Sequence, residues 1–166
     1  MSVFWAVLAL VIVQRLAELV YARRNTRRLL AEGAVEVGAG HYPIIVAVHV
    51  GWLAALLLTV PADAPPQGVL LALFLVVQGL RLWVMVSLGR FWTTRILTVP
   101  GAPLVRRGPY RWFRHPNYMV VIAEIALLPL AFGAPDIALV FSVLNGLVLT
   151  HRVRVENAAL SSRAEG

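Results

Sequence analysis

The sequence predicts an all-α, polytopic membrane protein of about five transmembrane helices, with a polar pocket on its cytoplasmic side. Of its 166 residues, 60% are hydrophobic and only 14% are charged, and the mean hydropathy is +0.78. These values exclude an ordinary soluble domain and a disordered chain, which would be rich in charge and poor in aliphatic residues. The length fits one domain over residues 1–166. The absence of cysteine excludes disulfides, a thiolate zinc site and a cysteine nucleophile.

Five apolar runs are the candidate helices, at residues 3–21, 44–60, 69–88, 118–132 and 137–150. A helix needs about 20 apolar residues to cross about 30 Å of hydrocarbon, and the first three runs come close to this length. No basic region precedes the first run and no small-residue cleavage site follows it, so we expect a retained helix and not a signal peptide. The last two runs are short and are punctuated by Pro129, Gly133 and Pro135, which favours a tightly connected helical pair.

Arginine placement predicts the orientation. All fifteen basic residues are arginine, and thirteen of them lie in the segments 22–43, 89–117 and 151–166. The connections at residues 61–67 and 133–136 contain none. Under the positive-inside rule the arginine-bearing segments are cytoplasmic, so the N-terminus is outside and the C-terminus is in the cytoplasm. Because the arginines cluster between apolar runs, they indicate membrane topology, and we expect no nucleic-acid partner.

Polar side chains inside the runs form a second pattern. Those in or near the cytoplasmic halves of the predicted helices are Arg15, Glu18, His49, Gln78, Arg81 and Glu124. A charge in hydrocarbon costs several kcal/mol unless it is paired or faces a wet cavity. One interpretation is a polar cavity that opens to the cytoplasm. The alternative is a set of contacts between helices, together with arginines that snorkel to the headgroups.

The segment 89–117 is too long for a simple connector, and loops of this length are usually functional. Pro116 suits the first turn of the fourth helix, which places His115 and the amides of the next residues at a helix N-terminus. Such an end favours anionic ligand groups. The alternative is an interfacial belt of aromatic residues and arginines, since Trp112 and Phe113 at a membrane boundary need no ligand. Composition favours neither interpretation.

Arg152 and Glu156 are four residues apart just beyond the fifth run, so they share one helical face. A surface ion pair would contribute only about 0.5 kcal/mol and would have no functional meaning. Opposite the long loop, the two residues could instead divide the binding of an anionic substrate and a cationic second ligand.

These segments form a joint pattern. It consists of LV at 104–105, GPY at 108–110, RHPNY at 114–118, and Arg152 with Glu156. The pattern resembles the isoprenylcysteine carboxyl methyltransferase family of integral membrane enzymes. The first half of the chain, at residues 15–49, looks like the bacterial branch associated with O-methylation of alkylpyrones and related polyketide lipids. The resemblance covers nearly the whole chain and implies the bacterial inner membrane.

The resemblance also implies a cofactor, S-adenosylmethionine, held by about residues 89–160. The cofactor-binding residues would be Leu104, Val105, Tyr110, His115, Pro116, Asn117, Tyr118 and Glu156. The first two would offer backbone contacts. Ala102 stands where the family often has histidine, which is harmless if only backbone is used. Asn157 stands where the family often has a second acidic residue, which leaves Glu156 alone in its role.

Arg152 would be the catalytic residue and would face the substrate. The further substrate-binding candidates are His49, Arg81 and Glu124. No metal is expected.

We therefore expect an S-adenosylmethionine-dependent O-methyltransferase that acts on a carboxylate, or on a pyrone or phenol hydroxyl, of a lipid-like substrate within the membrane. A carboxylate or the acidic 4-hydroxyl of a pyrone is already anionic near neutral pH, so its methylation needs no strong general base. One alternative is an NADPH-dependent membrane reductase of the sterol-reductase type. Another is a non-catalytic lipid-binding or scaffold protein.

Overall fold

Five α-helices form the protein in the computed structural model, which describes residues 2–102 and 105–164, with side chains described as far as Ala159. The helices are α1 Val3–Ala31, α2 Tyr42–Thr59, α3 Gly68–Leu88, α4 Pro116–Ala131 and α5 Pro135–Ala164. The predicted number of helices and the all-α fold are therefore confirmed.

Four helical segments are long and apolar enough to cross a membrane. They are Val3–Ala31, Ala39–Thr59, Gly68–Phe91 and Pro135–Ala159. The remaining helix, α4, is shorter, begins with Pro116 and contains Pro129. It packs between α3 and α5. Large apolar side chains such as Leu58, Val69 and Val86 are exposed on the outside, as expected where lipid is the solvent. The chain is an integral membrane protein.

Helices α1 and α5 extend beyond the predicted runs, which ended at residues 21 and 150. Hydropathy marks only the apolar part of a helix, whereas arginine, leucine and alanine all favour helix wherever they lie. The extension of α1 ends at Ala31. That of α5 carries Arg152 and Glu156 on a rigid helix, at the same end of the bundle as the long loop.

Two short strands were not predicted. Strands β1 Val35–Val37 and β2 Ile96–Thr98 pair antiparallel, with Glu36 opposite Leu97. Each has only three residues, too few for an alternating pattern to be recognised. The pairing ties the segment after α1 to the segment after α3, and both strands contact α5.

The polar side chains within the spans meet in one buried cluster. Both Glu18 oxygens accept from Arg81, at 2.7 and 2.6 Å, and Arg81 also donates to Glu124 at 3.0 Å. The Arg15 guanidinium lies 2.9 Å from Glu18 and 2.8 Å from Glu124. Gln78 donates to the other Glu124 oxygen at 2.9 Å. This ion cluster joins α1, α3 and α4 and pairs two positive charges with two negative ones.

Candidate functional site

A cavity of about 490 Å³ lies at the arginine-rich end of the bundle. Its walls come from the loop after α3, from β2, from the first turn of α4 and from the extension of α5. The predicted site residues that line it are Val105, Tyr110, His115, Asn117, Tyr118, Arg152 and Glu156. Residues from the long loop and from the end of the chain therefore share one site.

The remaining predicted residues lie elsewhere. Pro116 is buried as the first residue of α4 and supports its neighbours without lining the cavity. Leu104 lies outside the described residues. Arg81 and Glu124 belong to the ion cluster and do not line the cavity.

The first turn of α4 positions His115 and Tyr118. The Tyr118 amide donates to the His115 carbonyl at 3.1 Å, and the two rings stack with centroids 5.4 Å apart. On the opposite wall, the Nε2 atom of His115 lies 3.0 Å from Asn157 Oδ1. Its Nδ1 atom lies 3.7 Å from the Glu156 carboxylate. Asn157, found where the family often has an acid, thus fixes the imidazole ring.

The Tyr118 hydroxyl joins Arg152 to Glu156. It accepts a hydrogen bond from Arg152 Nε at 2.8 Å and donates one to the Glu156 carboxylate. Arg152 also donates from Nη2 to the carbonyl of Thr94 at 2.9 Å, and it is only 8% exposed. A surface ion pair between Arg152 and Glu156 is therefore not what the described residues form. The guanidinium is instead buried in the cavity wall and held in one orientation.

The Asn117 side chain has a buried oxygen without a hydrogen-bond donor among the described residues. Its Oδ1 atom is buried and accepts no hydrogen bond from any residue that the structure describes. Buried acceptors are almost always paired in folded proteins. Because Asn117 lines the cavity, a ligand donor is the natural partner for this oxygen.

The Gly108-Pro109-Tyr110 turn needs its glycine. Gly108 has φ +57°, and a Cβ added there would lie 2.0 Å from Ser87 Oγ on α3. The neighbouring Arg107 also ties this turn to α3, because its Nε donates to the Ser87 carbonyl at 2.7 Å. This close approach brings Tyr110 to the cavity, where burial, and to a smaller extent the Glu156 carboxylate, raises the pKa of its hydroxyl. Tyr110 therefore stays a neutral hydrogen-bond donor.

The ion cluster differs from the polar cavity expected within the membrane. The four charged side chains are only 4–16% exposed and are satisfied by one another. This matches the alternative expectation of contacts between helices. A substrate contact of Arg81 or Glu124 stays a prediction, and the geometry gives both residues a structural role first.

His49 lies on α2, outside the cavity lining. Its Nδ1 atom is 2.9 Å from the Ile45 carbonyl one turn earlier, so the imidazole has a hydrogen-bond partner within α2. Its part in substrate binding also stays a prediction.

Sequence reasoning missed part of the cavity wall. Residues 91–93 and 95–99, which include β2 and Trp92, line it along one side. The length of the loop was the only signal for this segment. Trp112, by contrast, is 66% exposed and does not line the cavity, as expected for an interfacial belt.

Comparisons with known proteins agree with the joint pattern. A profile of the isoprenylcysteine carboxyl methyltransferase family matches residues 70–162. The uncharacterized protein YpbQ of Bacillus subtilis (strain 168) is 43% identical over 161 residues, which is 95% of this chain and 96% of that protein. An uncharacterized protein of Haemophilus influenzae is 26% identical over 147 residues, 83% of each chain. No solved structure matches.

Proposed function

Because the chain belongs to the isoprenylcysteine carboxyl methyltransferase family, a family of membrane methyltransferases, we propose that it transfers a methyl group from S-adenosylmethionine to an acidic oxygen of a lipid-like substrate. The observation that carries this proposal is the cavity. It brings the 114–118 segment together with Arg152 and Glu156 at one end of the membrane-spanning bundle.

The residues present fit this cofactor. A volume of about 490 Å³ is in the usual range for ligand sites, about 300–1,000 Å³. The cofactor offers a cationic sulfonium and ammonium, a carboxylate and several donors. Glu156 complements the cations, the first turn of α4 favours the carboxylate, and the orphaned Asn117 Oδ1 takes a donor. Val105, Tyr110, His115 and Tyr118 complete the proposed pocket, together with Leu104 and Pro116 from the resemblance.

The proposed reaction needs no strong general base, because the accepting oxygen is already ionised. When bound, S-adenosylmethionine would supply a methyl group to an oxyanion that attacks in line with the C–S bond. The O–C bond forms as the C–S bond breaks, and the electron pair of the C–S bond stays on sulfur. A carboxylate, or the ionised 4-hydroxyl of a pyrone, attacks without giving up a proton. The work of the chain is to hold the oxyanion in line and to exclude water.

Arg152 is suited to hold that oxyanion. Its Nε and Nη2 atoms are used by Tyr118 and Thr94, and its Nη1 atom makes no hydrogen bond with the described residues. A planar guanidinium held at two nitrogens presents its third in a fixed direction, so an anion bound there costs no further side-chain freedom. Charge-assisted hydrogen bonds of this kind are short and strong.

Substrate class follows from the surroundings. The cavity lies at the end of membrane-spanning helices, so a lipid tail can remain in the bilayer while its head reaches the site. An alkylpyrone with an acidic 4-hydroxyl meets both requirements, and so does a lipid carboxylate. We further propose that one domain comprises residues 1–166. It would lie in the bacterial inner membrane, with the N-terminus outside and the cavity open to the cytoplasm.

Substitutions at Arg152 and Glu156 test the proposal. Arg152→Ala should slow methyl transfer by about two orders of magnitude yet keep most of the affinity for S-adenosylmethionine. Arg152→Lys should also be impaired, because lysine lacks the planar, multidentate geometry. Glu156→Gln should lose cofactor affinity first. Single-turnover transfer of a labelled methyl group and calorimetric cofactor binding give the two readouts. Equal loss of cofactor binding in all three variants would contradict the division of roles.

A specific observation supports a second candidate function. Arg95, Arg106 and Arg114 also line the cavity, and such residues suit the phosphates of NADPH in a membrane reductase. Thermal stabilisation of the purified protein by NADPH, and not by S-adenosylmethionine, would favour this candidate. Stabilisation by neither ligand would favour a non-catalytic lipid-binding protein.

A further inference from the structure

Trp92 has an unpaired donor in the cavity wall. The residue is one of those that line the cavity, and it is only 4% exposed. The indole Nε1–H is buried and has no hydrogen-bond partner among the described residues. Buried donors without partners are rare in native proteins, and an indole nitrogen can only donate. Because Trp92 lines the cavity, an acceptor on a ligand is the candidate partner for this donor.

The Trp92 ring is held rigidly. The Trp92 amide donates to the Gly89 carbonyl at 3.0 Å, and the Trp92 carbonyl accepts from Asn25 Nδ2 of α1 at 2.9 Å. The ring packs in a cluster with Ala22 and Val120. A donor fixed in this way loses no freedom when a ligand binds, so it selects for an acceptor at one position.

The guanidinium of Arg152 lies on a neighbouring part of the same wall. Arg152 donates to the carbonyl of Thr94, which is two residues beyond Trp92, and two residues of extended chain span about 7 Å. Neither the indole nor the guanidinium can accept a hydrogen bond. Together they suit a head group that presents two acceptor oxygens and carries negative charge.

Trp92 also contacts residues that lie within the helices α3 and α4. The Arg81 guanidinium, within α3, is 5.7 Å from the ring centroid, and Val120 lies within α4. The proposed cofactor residues His115 and Asn117 flank the very start of α4 instead.

We propose that Trp92 determines substrate specificity: its Nε1–H donates a hydrogen bond to one oxygen of the methyl-accepting head while Arg152 binds the other. The inference rests on the proposed methyltransferase function and identifies the acceptor as an acid with two oxygens. A lipid carboxylate and a 4-hydroxy-2-pyrone both have this pair. A lipid with a single alcohol or an amine does not.

Trp52 offers a matched control. It is 2% exposed, and its Nε1 atom is also buried without a partner among the described residues. It belongs to the main apolar core with Phe4 and Leu56 and does not line the cavity. Trp92→Phe and Trp52→Phe thus delete the same group, once beside the cavity and once away from it.

The experiment measures binding in lipid nanodiscs. The probes are a 6-alkyl-4-hydroxy-2-pyrone and a long-chain fatty acid, added to protein saturated with S-adenosylhomocysteine, and cofactor affinity is measured separately by calorimetry. We expect Trp92→Phe to weaken at least one acidic probe about tenfold, as for one lost hydrogen bond. Cofactor affinity should stay unchanged, and Trp52→Phe should bind both ligands as the wild type does. If Trp92→Phe does not fold, Trp92→benzothienylalanine removes the N–H and keeps the ring shape.

Each other outcome overturns the proposal. Unchanged probe binding in the Trp92 variant would show that the indole donor contacts no head group. A loss confined to the cofactor would assign Trp92 to the cofactor site. If the wild type binds S-adenosylmethionine but neither acidic probe, the inference about Trp92 fails while the cofactor assignment stands. If it binds no S-adenosylmethionine, the proposed function itself fails.

Discussion

Removal of the Tyr118 hydroxyl tests whether one atom holds both halves of the site. Tyr118→Phe deletes the acceptor for Arg152 Nε and the donor to Glu156. The aromatic ring that stacks on His115 remains. The variant therefore changes two hydrogen bonds to charged groups and leaves the shape of the wall in place.

The expected loss is about 2 kcal/mol. A hydrogen bond to a charged group contributes about 1.5–3 kcal/mol. The loss is smaller than the sum of the two hydrogen-bond contributions, for two reasons. Arg152 keeps its bond to Thr94, and the Glu156 side chain is 27% exposed, so water can replace the lost donor there. A loss of about 2 kcal/mol corresponds to about a 30-fold decrease in kcat/KM.

Methyl transfer and cofactor binding are measured on the same preparation. Because Tyr118 contacts both charged residues, cofactor affinity and acceptor turnover should both fall. Tyr21→Phe, on the exposed part of α1, is the control for deleting a tyrosine hydroxyl. Changes of less than about threefold in both readouts would refute the view that this hydroxyl organises the site.

Three further predictions concern topology, the ion cluster and the long loop. Reporter fusions after Gln67 and after Gly133 should be extracytoplasmic, and a cytoplasmic signal at either position would overturn the proposed orientation. Glu124→Gln should destabilise the protein in detergent by about 3–5 kcal/mol, since it leaves Arg81 with unbalanced charge in a buried cluster; an unchanged thermal midpoint would contradict this. Gly108→Ala should lower cofactor affinity with little loss of helix content by circular dichroism, because its Cβ would clash with Ser87.

The helices were predictable because hydropathy reports directly on burial in lipid. Their ends were less so, since α1 continues to Ala31 and α5 to Ala164 through residues that are polar but favour helix. The β1–β2 pair could not be predicted, because it depends on tertiary proximity and not on a local pattern.

The sequence motifs predicted which segments would meet at the site, whereas the roles of their residues stay predictions. The segment containing His115, Asn117 and Tyr118 lines the cavity with Arg152 and Glu156, as expected. The resemblance carried this prediction, since composition alone left an interfacial belt equally acceptable. Trp92 was missed because a tryptophan near a membrane boundary has an ordinary explanation. Its unpaired N–H becomes visible only in three dimensions.

Hydrogen-bond pairing and position together distinguish the structural polar groups of this protein from those suited to a ligand, since Trp52 Nε1 and Gln78 Oε1 are also unpaired among the described residues but do not line the cavity. In the ion cluster every charged group finds an opposite charge, and burial of such a set holds helices in register but leaves little for a ligand to gain. At the cavity, Trp92 Nε1 and Asn117 Oδ1 have no partners among the described residues. Burial makes an unpaired donor or acceptor unfavourable, so a ligand that satisfies it regains that free energy on binding. Trp92 touches both systems, since Arg81 of the cluster lies over its ring. The paired charges thus support the part of the cavity wall that carries the unpaired donor.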